Sequence, residues 1–209
     1  ADLRPIYSNI NVTKYDTVCC NYCGYAALTK DFMNTTQVQR KLLREKIQAN
    51  YKSHEEVVCD SYSAETAISR LKMALLCTVT KAGKESEIGN ICLKIDWLYQ
   101  DLADELDENS SDYESKKENY LAEAHNFAMN AYEHLSKARM EEAFPIAGMN
   151  ETTLDYLLSY LGYVKGEYQT AMQYLSGVVS TRGISPRLKD KCLELKELLN
   201  QKLHASADQ

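Results

Sequence analysis

Apolar positions recur at spacings of three and four along most of this 209-residue chain, the period of a helix that buries one face. The cleanest stripe opens near Ser86 and runs Ile88, Ile91, Cys92, Ile95, Leu98, Tyr99, Leu102, Leu106. A preceding helix starts after Ser63, aligns Ala64, Ala67, Ile68, Leu71, Ala74 and Leu75, and ends at Gly83. An earlier one is expected over 34–51, with Asn34, Thr35 or Thr36 as cap and Gln37 placed for a capping box. The acidic stretch from Asp101 to Glu114 reads as a helix end and a solvated loop. Beyond it the pattern predicts a helix from about Tyr113 to Met140, one that begins after Asn150 and stops at Gly166, and one from Glu167 to about Thr181. Ser185-Pro186 pairs a cap with Pro at the first helical position and opens a last helix bearing Leu188, Cys192, Leu195, Leu198 and Leu199. Residues 1–33 lack this period and are expected to be irregular. Short loops between amphipathic helices imply antiparallel neighbours.

Residues 152–185 align with the tetratricopeptide (TPR) pattern of about 34 residues. Leu158 takes the first-helix Leu position, and Gly166-Glu167-Tyr168-Gln169-Thr170-Ala171 takes the turn, the Tyr and the small residue of the second helix. Asp155 stands in place of Trp, Ser159 in place of Gly, and Gly162 in place of a large residue. The helix pair before it, split by the acidic loop, forms a second, degenerate unit. The expected fold is therefore all-α: antiparallel hairpins stacked over 34–209 as a TPR-like right-handed superhelix, preceded by the irregular segment 1–33.

One helix of this array is apolar on two sides. Leu154, Leu157, Leu158 and Leu161 share one face, while Tyr156, Tyr160 and Tyr163 share nearly the opposite one. Either a neighbouring helix covers the tyrosines, as in a solenoid, or they line a groove that receives a peptide or helix. Tyrosine suits a groove because it offers large apolar area, a polar tip and few rotamers to lose. Trp97, with Leu93, lies opposite the main stripe of its own helix in the same way. Tyr156, Tyr160, Tyr163 and Trp97 are the candidate partner-binding residues.

Composition narrows the function classes. Eight Gly and three Pro are too few for a β-sandwich or barrel. A net charge of −6 argues against broad electrostatic binding to nucleic acid or anionic lipid. No stretch approaches the roughly 18 apolar residues of a membrane span, and no basic-then-apolar leader opens the chain. The seven cysteines are odd in number and mostly dispersed within helical patterns, which points to small apolar residues in a reducing cytoplasm.

Three of those cysteines cluster as Cys19-Cys20-Asn21-Tyr22-Cys23-Gly24. Thiolates three apart, followed by Gly, are the shape of a zinc knuckle, and Cys20 and Cys23 are the candidate metal ligands. A closed site needs four ligands. His54 and Cys59 are remote possibilities that spacing does not support. Half of a zinc ribbon, a redox pair and a plain pair of structural thiols remain as alternatives.

The runs Asp2-Leu3-Arg4-Pro5-Ile6-Tyr7, Tyr15-Asp16-Thr17-Val18-Cys19-Cys20-Asn21-Tyr22-Cys23-Gly24-Tyr25-Ala26-Ala27-Leu28, Phe144-Pro145-x-x-Gly148-Met149-Asn150-Glu151 and Gly166-Glu167-Tyr168 resemble a bacterial family of unknown function. That family joins an N-terminal zinc-ribbon-like segment to TPR-like helices. Its members typically read CPxCG, where this chain has Asn21 in place of Pro, and carry an earlier Cys pair upstream. The resemblance thus implies zinc in a chain extended upstream of Ala1.

No catalytic residue is assigned. His54-Glu55-Glu56-Val57-Val58 lacks the second His of a zincin helix, and Glu123-Ala124-His125 and Glu133-His134 lack the spacing of a di-iron motif. The run Asp104, Glu105, Asp107, Glu108 reads as a solvated face. The expected function is a protein-interaction scaffold that binds a polypeptide in its groove. The alternative is a zinc-ribbon regulatory or nucleic-acid-binding module with a helical dimerisation domain, against which the lack of a Lys/Arg stripe counts.

Overall fold

The computed structural model describes residues 3–55 and 60–207, and most of them are helical. By internal contacts the chain divides into two compact units, one of Ile6–Ala131 and one comprising the residues from Tyr132 onward with those before Ile6. This division falls within a helix and does not coincide with the expected one at 33/34.

The first unit opens with a 3-10 turn, Val12–Tyr15, whose Asn11 side chain accepts from Thr13 N–H. Two short strands follow, β1 (Thr17–Cys19) and β2 (Ala26–Leu28), paired antiparallel with Thr17 opposite Leu28 and Cys19 opposite Ala26. The segment expected to be irregular thus carries a β-hairpin, and the fold is predominantly rather than wholly helical. All three residues of β2 are buried. With so small a sheet, the hairpin has to cover its face with something else, and the cover is α2 (Ala64–Thr80). Ala26 and Leu28 enter one core with Leu43, Ile47, Ile68, Leu71, Ala74, Cys77, Ile91, Ile95 and Leu98.

α1 spans Gln37–Lys46, shorter than expected, and a 3-10 turn follows at Gln48–Asn50. Its capping box uses Thr36 and Gln39: Thr36 Oγ1 accepts from Gln39 N–H at 3.2 Å, and Gln39 Oε1 accepts from Thr36 N–H at 3.0 Å. α2 starts after Ser63 as expected, and the Ser63 side chain caps it, accepting from Thr66 N–H. α3 (Glu85–Asp104) buries Ile88, Ile91, Cys92, Ile95 and Leu98 from the predicted stripe, and Leu93 besides.

The α2–α3 turn encloses an ion pair. Lys81, only 3% exposed, holds Glu87 at 2.6 Å, and Thr78 donates to the same carboxylate oxygen at 3.1 Å. Removing one partner of a buried pair typically costs about 3–5 kcal/mol, because the other charge is left enclosed. Lys81→Met is expected to be far better tolerated with Glu87→Leu than alone, and a thermal-unfolding double-mutant cycle measures that difference.

α4 (Tyr113–Glu141) runs through the division between the units. In the second unit, α5 (Glu151–Lys165) is capped by Asn150 and ends at Gly166, whose φ of 88° is the left-handed stop that favours glycine. α6 (Tyr168–Ser180) and α7 (Pro186–Ala207) complete it. Asp155, at the position where the repeat pattern carries Trp, accepts from Arg139 Nε at 2.8 Å and so ties the end of α4 to α5. None of the described helices is long and apolar enough to cross a membrane.

Candidate functional site

The hairpin turn is built around its thiols. Cys20 N–H donates to Tyr25 O at 2.8 Å, extending the ladder beyond β1, and Gly24 N–H donates to Cys20 O at 2.9 Å, closing the loop. Gly24 sits at φ +73°, and a Cβ there would stand 2.4 Å from Cδ2 of Tyr51. Both the backbone sign and the ring above it require glycine. The turn aims backbone N–H groups at one sulfur. Those of Cys23 and Tyr22, helped by the Cys23 thiol, hold Cys20 below the ordinary thiol pKa. Burial pushes Cys23 the other way, and the neighbouring Cys20 sulfur adds to it. The two thiols are thus shifted in opposite directions, Cys20 toward the thiolate and Cys23 toward the thiol.

Beneath the turn lies Cys77 of α2. It receives Ala26 N–H at 3.4 Å and donates to Gly24 O at 3.6 Å, so its thiol satisfies two polar groups of the hairpin in an otherwise apolar core. Burial raises its pKa. Cys19 donates to Arg70 O at 3.9 Å. Arg70 in turn donates to Thr17 O at 3.2 Å and lies 4.6 Å from the Tyr62 ring centroid, fastening β1 to α2.

Two thiols fit half of a tetrahedral zinc site. His54 comes beside the turn, with its N–H donating to Asn21 O at 3.3 Å, but its Nδ1 is engaged by the Tyr51 hydroxyl at 3.1 Å. Cys59, like Glu56, Val57 and Val58, lies outside the described residues. Among the described residues no group of three or more Cys, His, Asp or Glu is placed to hold a metal ion. Cys20 and Cys23 would therefore be a half site, with its remaining ligands supplied from elsewhere.

The four aromatic candidates separate. Tyr156 is fully buried in a core with Ala171, Leu175 and Val178 of α6 and Cys192, Leu195 and Leu199 of α7. It is a packing residue, covered by neighbouring helices, and offers no surface to a partner. The reason is that α5 packs on both sides, so the ring opposite its leucines is enclosed as well. Tyr160 and Tyr163 are half-buried at the margin of the same core, and Tyr163 meets Tyr168 with ring centroids 6.0 Å apart. Trp97 is half-buried in the other unit, and its indole N–H has no acceptor among the described residues.

One feature escaped the sequence reading. Beside Cys23, an open cleft of about 330 Å³ is walled by Tyr25, Phe32, Met33 and Leu43 and flanked by Arg40 and Arg44. Tyr25 is packed on Phe32 at 4.9 Å between centroids and donates to Phe32 O at 3.0 Å. Burial pushes the Tyr25 hydroxyl to a pKa of about 12, which keeps it a neutral donor. The available signal was the cation density of α1, with Arg40, Lys41, Arg44 and Lys46 against a single Glu45.

The class these residues define is structural only: a thiol hairpin seated on a predominantly helical body. The family model described as "Uncharacterized protein conserved in bacteria (DUF2225)" matches residues 1–199, and the chain belongs to that family. Comparison with curated proteins and with solved structures gave no match.

Proposed function

We propose that the chain is a cytoplasmic polypeptide-binding scaffold. In this reading, paired helices of tetratricopeptide type present a surface to a partner protein, and the Cys20/Cys23 hairpin is one half of a zinc knuckle. The observation that carries it is the α5–α6 seam. A Cβ on Gly162 would come within 3.3 Å of the Ala171 Cβ, and Ser159 Oγ donates to Ala171 O at 2.8 Å. Small residues let two antiparallel helices approach closely, which is what the repeat pattern demands of Ala171, and the departures at Ser159 and Gly162 serve the same approach. With Tyr156 in the core, Tyr160 and Tyr163 are the remaining tyrosines of α5 available for contact. At 0% exposure, Ser159 and Ala171 leave no room for a ligand inside the seam itself.

The test is affinity capture with Tyr160→Ala/Tyr163→Ala beside the wild type. The expected result is a folded variant, by circular dichroism, that loses specific proteins the wild type retains. Identical captured sets overturn the assignment of that surface. The knuckle is tested separately by zinc content, on this chain and on one carrying its upstream residues. About one zinc per extended chain, lost on Cys23→Ser, is expected; no zinc in the extended chain removes the knuckle from the proposal.

A further inference from the structure

We propose that the cleft between the hairpin and α1 docks an acidic segment of a polypeptide partner, one large apolar side chain entering between Phe32, Met33 and Leu43 while flanking carboxylates meet Arg40 and Arg44. The inference rests on reading the chain as a polypeptide-binding scaffold. Its contact, however, lies within Ile6–Ala131, whereas Tyr160 and Tyr163 belong to the other unit, so the two assignments fail separately.

Charge is the first argument. In a chain of net charge −6, α1 exposes Arg40, Lys41 and Arg44 along one face. Arg44 has no ion-pair partner among the described residues. Lys41 meets Glu45 only at 3.8 Å, with both side chains largely exposed, an arrangement worth little. The face is therefore a local excess of positive charge that a carboxylate-bearing partner would complement.

Preorganisation is the second. Arg40 Nε donates to Thr35 Oγ1 at 3.1 Å and its Nη2 to Thr35 O at 3.0 Å. These bonds hold the planar guanidinium in place while its other N–H groups stay free to bind. A fixed fork loses less entropy on gripping a carboxylate. The apolar wall is the third. Met33 is 83% exposed at the rim, and its flexible thioether can mould to an incoming side chain. The cleft volume of about 330 Å³ is at the small end for binding pockets, which fits one side chain rather than a row of bases. Single-stranded nucleic acid stacks on a row of exposed rings, whereas Tyr25 and Phe32 are half-buried and packed on each other.

The experiment is fluorescence anisotropy on the full chain with a labelled heptapeptide, Asp-Asp-Glu-Trp-Glu-Asp-Asp. Saturable binding is expected. It should weaken at least about tenfold in Arg40→Glu/Arg44→Glu, since two charge-assisted contacts are reversed, and also weaken in Met33→Lys and with Ala replacing the peptide Trp. All three substituted positions are exposed, and thermal melts check that the variants stay folded. The Tyr160→Ala/Tyr163→Ala variant is expected to bind the peptide as the wild type does. The proposal is overturned by absence of binding, by equal binding to the charge-reversed variant, by loss in the tyrosine variant, or by an oligo-dT strand displacing the peptide.

Discussion

Gly24→Ala is expected to destabilise the first unit by more than about 2 kcal/mol, a large effect for adding one methyl group. Two costs combine. An L-residue held at φ +73° carries roughly 1–2 kcal/mol of backbone strain. The new Cβ also falls within 3.0 Å of three Tyr51 ring atoms, so the ring has to leave the turn. Tyr51 OH is bonded to His54 Nδ1, and that bond goes with it. The measurement is the urea midpoint of Gly24→Ala, with Gly24→Ala/Tyr51→Ala as control. The second substitution removes the clash and should recover part of the loss, leaving the strain. Full recovery would mean that the backbone sign imposes nothing. A midpoint equal to wild type in the single variant would mean that the turn is not built as described.

Tyr156→Ala has the second large effect. The ring is wholly enclosed among α6 and α7 residues, and truncating a buried aromatic side chain costs about 3–5 kcal/mol through lost transfer energy and the cavity left behind. Tyr156→Phe keeps the ring and should cost no more than about 1–1.5 kcal/mol for the hydroxyl's hydrogen bonding. The contrast with Tyr160→Ala/Tyr163→Ala, at the half-exposed margin of the same core, is the useful one. If Tyr156→Ala melts with the wild type, α5 does not bury its tyrosine side and the packing reported for α5–α7 is incorrect. Differential scanning calorimetry suits the comparison because the two units need not unfold together.

The helices were legible because their signals are local and repeated. Ser185 caps the helix it was expected to cap, the helices expected to start after Ser63 and Asn150 do so with those residues as caps, and the α3 stripe is buried over Ile88 to Leu98. The hairpin was not legible. Its strands are three residues each, too short for an alternating pattern to register, and Ala26, Ala27 and Leu28 are buried in succession instead of alternately. α1 stops at Lys46 rather than near Tyr51, because the chain tightens into a 3-10 turn and then turns Tyr51 onto Gly24, a demand no helix propensity encodes. The two-sided character of α5 was visible, but which tyrosine faced inward was not, since that depends on where α6 and α7 pack. The cleft by Arg40 depends on bringing residues from Cys23 to Gln48 together, which periodicity does not address.

The position of Cys77 gives the hairpin a built-in reporter. Its sulfur is sealed at 0% exposure under the backbone of Gly24 and Ala26, whereas Cys20 and Cys23 are partly open to solvent. An alkylating reagent therefore meets thiols it can attack in the closed state and, among the described residues, three buried ones, Cys77, Cys92 and Cys192, of which Cys77 is the one uncovered when the β-turn lifts off α2. Alkylation of the peptide that carries Cys77, timed by mass spectrometry and set against those of Cys92 and Cys192, then measures how often that turn opens without unfolding of the rest of the chain.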